Sequence, residues 1–407
     1  MDTAINYELP DYWIKYDKNA IFAELADAKA AVLALKAIPF QKRWVEALQK
    51  LQLKMEVAGT SQIEGADFAG NELESAMRAE TAEELQTRSQ KQANAAVKAY
   101  RWIATLPDDK PVNEELICEV HRVVVADCDE DHCAPGKIRT FGQNVTFGFI
   151  KHRGVTGGKD CDFAFHRLAE EIQNSYVTHD LLIQALALHY HFGAMHPFQD
   201  GNGRSARVLE ALMLQRAGLK NSLFIAMSNY YYEEKRAYLQ SLADVRAADH
   251  NLTPFLKFGL RGVALQANRL LQMIRTEVSK HLFRNLTHEL FARLESTRKR
   301  VIVKRQLVLL EHLLDSDERI EWNELIASTI GQYASRKIPI QAMVRDVNKL
   351  SWLGAIRVTK EDSAVPKNPK FFITVNLDWP SMITETEFFS RIENMPKSKT
   401  TGFLLPD

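Results

Sequence analysis

The sequence has little of two features that mark membrane-bound and secreted proteins. No apolar run reaches the length of a bilayer-spanning helix, and the first residues, MDTAINYELPDYW, lack the basic and then apolar order of a signal peptide. The 407 residues include only 4 cysteines, a number that fits a reduced chain rather than a disulfide framework. We therefore expect a cytoplasmic protein that does not bind a membrane.

Neither sign of charge is in excess, and glycine and proline are scarce near the start of the chain. The 52 basic residues balance the 52 acidic ones, which excludes a global field toward nucleic acid or a membrane surface. Residues 20–106 are rich in Ala, Leu, Glu, Lys and Gln, with almost no glycine or proline before Gly59. This composition predicts amphipathic helices, here at 20–35 and 43–58.

The most informative stretch runs from His196 to Arg207 and reads HPFQDGNGRSAR. It lies between two runs of apolar residues that have helical spacing, and Pro197, Gly201 and Gly203 interrupt the helical pattern between them. The stretch therefore predicts a loop that leads into the start of a second helix. Unpaired amides at a helix start, with the helix dipole behind them, form a site for an anion such as phosphate. Gly201 and Gly203 allow the backbone to approach that anion closely.

The side chains of this loop carry groups suited to phosphate chemistry. His196 can act as a base near neutral pH. Asp200 is a hard oxygen ligand for Mg²⁺ held between phosphates. Asn202 can donate to a phosphate oxygen. Arg204 and Arg207 are three residues apart, share a helix face and can clamp a polyphosphate.

The stretch resembles the Fic family motif, HxFx(D/E)GNGRxxR, and matches it at every fixed position. The resemblance implies transfer of AMP from ATP to a Ser, Thr or Tyr hydroxyl of a target protein. It implies that His196 deprotonates the hydroxyl and that Asp200 holds Mg²⁺ between the α- and β-phosphates. The amides of Gly201 and Gly203, with Asn202, would stabilise α-phosphate charge, and the two arginines would bind pyrophosphate. The related Doc toxins, which phosphorylate, lack this glycine pair.

A second motif, TSQIEG at residues 60–65, lies near the end of the second predicted helix. A helix would place Thr60 and Glu64 on one face, and Gly65 would end it. The stretch fits an ordinary capped helix end. It also resembles the inhibitory pattern of the family, (S/T)xxxE(G/N). That resemblance implies that Glu64 pairs with Arg207, blocks productive ATP binding and inhibits the enzyme.

Two further stretches border the expected site. Residues 143–152 are rich in β-formers and predict a short hairpin, either a plain surface hairpin or the target-binding flap of the family. The flap interpretation assigns target binding to Val145, Thr146, Phe147 and Gly148. By resemblance, the adenine would be bordered by Tyr231, Tyr232 and Tyr238, although aromatic residues at helical spacing also suit a core.

The last third of the chain predicts a separate domain. Helices at 301–314, 322–328 and 338–350 precede strands at 353–358 and 370–375, an order that resembles a winged helix. Such a domain could bind DNA, bind a protein partner or serve only for packing.

Together these features predict a mainly α protein with a Fic helical core and a small β-hairpin flap. We expect an N-terminal helical region at 1–110, the core at 111–275, the winged helix at 290–385 and a tail at 386–407. The leading hypothesis is an autoinhibited protein adenylyltransferase that uses ATP and Mg²⁺ and also modifies itself. The alternatives are a nucleotide-sensing DNA-binding regulator and an enzyme that removes AMP with Glu64 as the base. A homodimer is among the assemblies that this interpretation allows.

Overall fold

The computed structural model describes residues 5–38, 42–148, 151–219, 224–294, 297–316, 319–334, 337–361, 369–395 and 402–403. These residues are predominantly helical, which confirms the predicted mainly α class. The chain divides into two compact units, Met1–Gln272 and Met273–Asp407. Among the described residues, no helix combines the length and the apolar character that crossing a lipid bilayer requires.

The first unit is built from helices. In chain order they are α1 (Lys18–Ala37), α2 (Lys42–Ile63), α3 (Glu72–Arg78), α4 (Arg88–Thr105), α5 (Glu114–Val125), α6 (Lys159–Gln173), α7 (Leu181–Met195), α8 (Asn202–Arg216), α9 (Met227–Glu233), α10 (Lys235–Ala247) and the first part of α11 (Thr253–Ala292). The last of these runs on to Ala292, beyond residue 275, where the Fic core was expected to end.

Local capping explains where several of these helices begin. The Asp17 carboxylate accepts hydrogen bonds from the backbone amides of Asn19 and Ala20, which fixes the start of α1. Thr87 and Gln90 form a capping box at the start of α4. Asn113 caps α5, with its side chain accepting from the Leu116 amide. Polar side chains thus satisfy the free amides that a helix start leaves.

The core of the first unit lies around α7 and α8. Nearly every residue of α7 is buried, including Leu186, Leu188 and Phe192, so the helix has no polar face. The neighbouring α8 is buried along most of its length as well. The loop that joins them, residues 196–201, therefore begins and ends in rigid, fully packed helices.

A small sheet lies beside this loop. Strand β2 (Thr146–Phe147) pairs antiparallel with β3 (His152–Arg153), so the described residues confirm the predicted hairpin, of which residues 149 and 150 lie outside the described part. Strand β1 (Ile5–Asn6) adds in parallel to the other edge of β3 and gives the order β1-β3-β2. The sequence did not predict β1, because two residues carry no usable alternation.

The second unit contains the helices and the two longer strands that the sequence predicted. Its elements are the end of α11, α12 (Thr297–Asp315), β4 (Ile320–Glu321), α13 (Trp322–Thr329), α14 (Pro339–Trp352), β5 (Ile356–Glu361), β6 (Lys370–Val375), α15 (Trp379–Met382) and α16 (Glu385–Glu393). The strands form an antiparallel sheet in the order β4-β6-β5.

Strand β5 begins three residues later than expected. Residues 353–355, predicted as part of the strand, instead form a turn after α14 in which Gly354 has a φ of +82°. Backbone of that hand is easily reached only by glycine, and it ends the helix before the strand starts.

The tail that was expected from residue 386 begins with a packed helix. In α16, Phe388 is fully buried, and Thr384 with Glu387 forms a capping box at its start. Further along, the ring of Phe403 contacts those of Trp322 and Phe371, each at 4.8 Å between centroids. The prediction of a tail was therefore wrong for residues 386–393, whose capping and apolar spacing favour a helix.

We expect Phe388→Ala to lower the free energy of unfolding of the second unit by about 3–5 kcal/mol, because it removes a fully buried aromatic side chain. Chemical denaturation of the full chain would measure the loss. Met382→Ala serves as the control, since the Met382 side chain is 65% exposed and its loss should change stability by less than about 0.5 kcal/mol. Equal stability of the two variants would show that α16 does not pack as described.

Candidate active site

The loop between α7 and α8 has an unusual backbone at both ends. His196 ends α7 in the left-handed region, with a φ of +54°, a conformation uncommon for residues other than glycine. Gly201 precedes α8 with a φ of +73°, and a Cβ at this position would lie 2.6 Å from Val125 Cγ1. Only glycine satisfies both constraints, so Gly201 is required by the fold of the loop itself.

Side chains around the loop hold it in this shape. Asn202 is buried, and its side chain accepts from the Phe198 amide (2.9 Å) and donates to the Phe198 carbonyl (2.8 Å). The His121 ring stacks on Phe198 at 3.7 Å, and its Nε2 donates to the Asp200 carbonyl at 3.0 Å. The contact observed for Asn202 is thus with the loop, whereas the sequence pointed to a phosphate.

Arg139 ties the loop to the flap and was not singled out by the sequence as a site residue. Its side chain is buried, and it donates to the carbonyl oxygens of His196 (2.8 Å), Gln143 (2.7 Å) and Val155. The backbone amide of Arg139 also donates to the carbonyl of Pro197. One cation therefore satisfies three carbonyl groups and fixes the flap against the loop.

His196 is held as a neutral imidazole with one free nitrogen. Its Nδ1 lies 2.8 Å from the Gly193 carbonyl oxygen, which can only accept, so Nδ1 carries the proton and Nε2 keeps a lone pair. The ring stacks on Phe147 of β2, with 3.8 Å between centroids. Burial lowers the pKa of His196 to about 4, so the imidazole is neutral at neutral pH and carries a proton on Nδ1 alone. This arrangement suits a proton acceptor.

Arg207 is buried and contacts the second motif. Its Nη2 contacts Glu64 Oε1, and its Nε donates to the Thr60 hydroxyl at 2.7 Å. Although burial alone would raise the pKa of Glu64, the Arg207 guanidinium holds it below its usual range. Helix α2, which was predicted to end near residue 58, extends to Ile63 and so brings Thr60 and Glu64 onto one face.

The Glu64 carboxylate lies where the start of α8 would bind an anion. A Cβ on Gly203 would run into Glu64 Oε1 and would lie 3.3 Å from Arg207 Nη1. The residue before α8 is Gly201, which has no side chain to cap the first turn. The carboxylate is therefore over the helix start and on the guanidinium at once, a position that a phosphate group would also favour.

Arg204 has a different partner from Arg207. Its Nη2 lies 2.6 Å from Asp129, a fully buried carboxylate that also accepts from Arg88 and Gln92. Asp129 and Arg88 were not predicted as site residues, because neither belongs to a sequence motif with the loop residues.

Asp200 is the candidate metal ligand, and its side chain is 40% exposed. One oxygen accepts from the Gly201 amide (2.6 Å) and the other lies 3.2 Å from Arg88 Nη2. Among the described residues, no three Asp, Glu, His or Cys side chains gather as a metal-binding group. A single accessible carboxylate fits Mg²⁺ that arrives with phosphates, because that ion keeps waters and substrate oxygens among its ligands.

The three tyrosines proposed beside the adenine lie in different environments. The Tyr231 ring is buried against Tyr238, and its hydroxyl donates to Glu210 at 2.8 Å. The Tyr238 hydroxyl lies 2.8 Å from His189 Nε2. Only Tyr232, at 40% exposed, offers a large accessible surface. Tyr231 and Tyr238 thus belong to the core in this structure.

The flap contacts His196. The Phe147 ring stacks on the His196 ring, and the Arg246 guanidinium carbon lies 5.4 Å from the Phe147 centroid. Val145 accepts a hydrogen bond from the Gly154 amide, and Gly148 turns the chain with a φ of +85°. Since β1 already pairs with β3, the edge of this sheet that carries no strand belongs to β2, within the described residues.

Comparison with known proteins assigns the class. Residues 111–214 match the family model described as Fic/DOC family, so the chain contains a Fic domain. The matched range includes the loop, Asp129, Arg139 and the flap, and it ends within α8.

Particular relatives are also similar to this chain. It is 28% identical over 187 residues to the protein adenylyltransferase fic-1 of Caenorhabditis briggsae, a match that covers 45% of this chain and 33% of that protein. It is 33% identical over 86 residues to the protein adenylyltransferase Fic of Culex quinquefasciatus, covering 21% and 15% of the two chains. The chain thus spans at most about a third of the length of these curated relatives.

A solved structure shares the fold over nearly the whole chain. A Fic family protein from Desulfovibrio desulfuricans G20 aligns with a TM-score of 0.55 and covers 90% of this chain and 98% of that one. The sequence identity is 15%, so this similarity concerns the fold alone.

We expect the His196 imidazole to stay neutral from pH 8 down to about pH 5, because burial moves its pKa well below 6.5. Nitrogen NMR of the imidazoles would measure this, with His196→Ala identifying the signal. His166 is the internal control, since its hydrogen bond to Glu114 raises its pKa and it should become protonated at a higher pH than His196. A His196 midpoint near 6.5 would contradict the neutral ring described above.

Proposed function

We propose that the protein is an adenylyltransferase that transfers AMP from ATP to a Ser, Thr or Tyr hydroxyl of a target protein and of itself, and that Glu64 inhibits it. One observation carries the proposal. The Glu64 carboxylate, directly after α2, lies at the start of α8 and on Arg207, where a phosphate could bind, and it lies near a neutral histidine that could accept a proton. The names of the similar proteins support the same reaction.

The proposed reaction begins with the target hydroxyl near His196. As the hydroxyl oxygen bonds to the α-phosphorus, the bond from that phosphorus to the bridging oxygen of the β-phosphate breaks. The hydroxyl proton passes to His196 Nε2, and pyrophosphate leaves. Because Nδ1 donates to the Gly193 carbonyl, the acceptor nitrogen Nε2 faces away from Gly193.

Charge neutralisation is the second task. The start of α8 and the two buried arginines lie together and would face the negative oxygens of the triphosphate. Mg²⁺, held by Asp200 and the phosphates, would neutralise charge on the α- and β-phosphates. For this, Asp200 would have to leave Arg88, a contact between two half-exposed side chains that is worth little.

Inhibition follows from competition for Arg207. The guanidinium can pair with the Glu64 carboxylate or with a nucleotide phosphate, and Thr60 holds its Nε in the inhibited arrangement. Arg207 lowers the pKa of Glu64, so in this arrangement the carboxylate is ionised, occupied by the guanidinium and a poor base. The observed pairing therefore favours an inhibitory role over removal of AMP by Glu64.

Target recognition is assigned to the flap. A protein segment could add to the open edge of β2 by backbone pairing and bring its hydroxyl to the base. Phe147, which lies on His196, would then move aside or pack against the segment.

The C-terminal unit is assigned to recognition of a partner. Its order of three helices and a β5–β6 hairpin resembles a winged helix, but α14 carries few exposed basic residues, with Arg345 as the most exposed of them. This scarcity favours a protein partner over DNA.

The test is Glu64→Gly, which should raise self-modification by between about 5- and 150-fold over the chain without a substitution, called the unmodified chain below. The physical reason is that Arg207 becomes free for the triphosphate. Mass spectrometry after incubation with ATP and Mg²⁺ would report the added group and the modified side chain.

Two matched variants sharpen this test. Glu64→Gln keeps the shape but removes the charge and should give intermediate labelling. His196→Ala added to Glu64→Gly should reduce labelling by about 10²–10⁴-fold. The proposal fails if Glu64→Gly labels no more than the unmodified chain, or if labelling survives the loss of His196.

A further inference from the structure

Helix α2 presents a row of polar side chains to α4, α8 and α9, and the proposed function uses only the last two of them. Gln52, Glu56, Thr60 and Glu64 follow one another at four-residue spacing and so lie on one face of the helix. The first three are almost fully buried, with relative exposures of 2%, 1% and 1%. Buried polar groups of this kind cost free energy unless they are hydrogen-bonded.

Glu56 is bound by donors from two other helices. Its Oε2 accepts from the Ser228 backbone amide at 2.7 Å, at the start of α9. Its Oε1 accepts from the Tyr100 hydroxyl of α4 at 2.7 Å and from the Ser228 hydroxyl. A single carboxylate therefore connects α2 to both α4 and α9.

No basic side chain forms an ion pair with Glu56 among the described residues. The charge of Glu210, on α8, repels the Glu56 carboxylate. Burial raises the pKa of Glu56 to about 7. The carboxylate consequently depends on its three hydrogen bonds. These exist only while α2 keeps its observed register and rotation.

Two neighbours of Glu56 require the same close approach. Gln52 Oε1 accepts from the Ala226 amide at 3.1 Å. Gln52 and Glu56, which are neighbours in the row, therefore both accept hydrogen bonds from backbone amides at the start of α9. A Cβ on Gly59 would lie 2.5 Å from the Asn229 nitrogen. Glycine at this position therefore lets α2 lie directly on α9, at the cost of about 1 kcal/mol in helix propensity.

We propose that Glu56 is the anchor of inhibition, a positioning residue that fixes α2 so that Glu64 reaches Arg207. This inference rests on the proposed inhibitory role of Glu64. Glu56 lies two helical turns before Glu64, roughly 12 Å along the axis, so a shift or rotation of the helix at Glu56 displaces Glu64. Glu64 itself is only partly buried and has one charged partner, so it does not position the helix alone.

The test compares self-modification of full-length variants with ATP and Mg²⁺. Glu56→Ala should raise labelling roughly tenfold, because three buried donors lose their acceptor and the docked helix is weakened. Glu56→Ala combined with Glu64→Gly should label no faster than Glu64→Gly alone, since the anchor acts only through Glu64. Glu46→Ala, which removes an exposed carboxylate from the same helix, should behave as the unmodified chain.

A second measurement does not depend on activity. Hydrogen exchange of the amides of residues 56–63 should be faster in Glu56→Ala than in Glu46→Ala. Tyr100→Phe removes only one of the three donors, and it should give a smaller rise in both labelling and exchange. This milder variant keeps the inference testable if Glu56→Ala does not fold.

Two results would overturn the anchor. One is folded Glu56→Ala that labels and exchanges like the unmodified chain. The other is an equal rise in labelling when Glu64 is already absent, which would mean that Glu56 acts elsewhere. If Glu64→Gly itself is inactive, the proposed function fails, whereas the exchange measurement still decides whether Glu56 holds α2.

Discussion

A buried guanidinium at the start of α8 is the constraint on which the site depends. Arg207 is 3% exposed, and a charge removed from water to that extent requires an anionic partner. In this structure the partner is Glu64, and in the proposed reaction it is a phosphate of the nucleotide. The same requirement would account both for the proposed binding of phosphate and for the proposed inhibition. Regulation then needs only a change in the position of one helix, with no change in the catalytic loop.

Buried contacts hold the loop between α7 and α8 in place, whereas α2 contacts α8 and α9. Arg139 holds the loop to the flap through backbone carbonyl groups, and Asn202 closes the loop on itself. The buried Asp129 carboxylate forms an ion pair with Arg204. These contacts are buried and mutually supporting, so the geometry around His196 is set before any substrate binds. Helix α2, by contrast, contributes through a few polar contacts on one face, which makes it the element best suited to regulate the site.

Local signals in the sequence predicted several helices and the loop motif, because apolar runs such as that of α7 have a direct structural meaning. Gly201 and Gly203 likewise indicated an anion site at the start of α8, which stays a prediction. Apart from the Glu64–Arg207 pair, which the family resemblance implied, contacts between residues distant in sequence were not predictable. Asp129 and Arg88 have no motif, and Glu56 resembles an ordinary residue of an amphipathic helix until α4 and α9 surround it. The core positions of Tyr231 and Tyr238 likewise depend on tertiary packing, since aromatic spacing alone suits both a core and a ligand site.

The central claim is that the Glu64 carboxylate occupies a phosphate position on Arg207. Calorimetric titration of inorganic pyrophosphate with Mg²⁺ into the unmodified chain and into Glu64→Gly tests it most directly, because no chemical step is involved. Pyrophosphate should bind more tightly to Glu64→Gly than to the unmodified chain, and this gain in affinity should disappear when Arg207 is also replaced. Equal affinity of the unmodified chain and Glu64→Gly for pyrophosphate would contradict it.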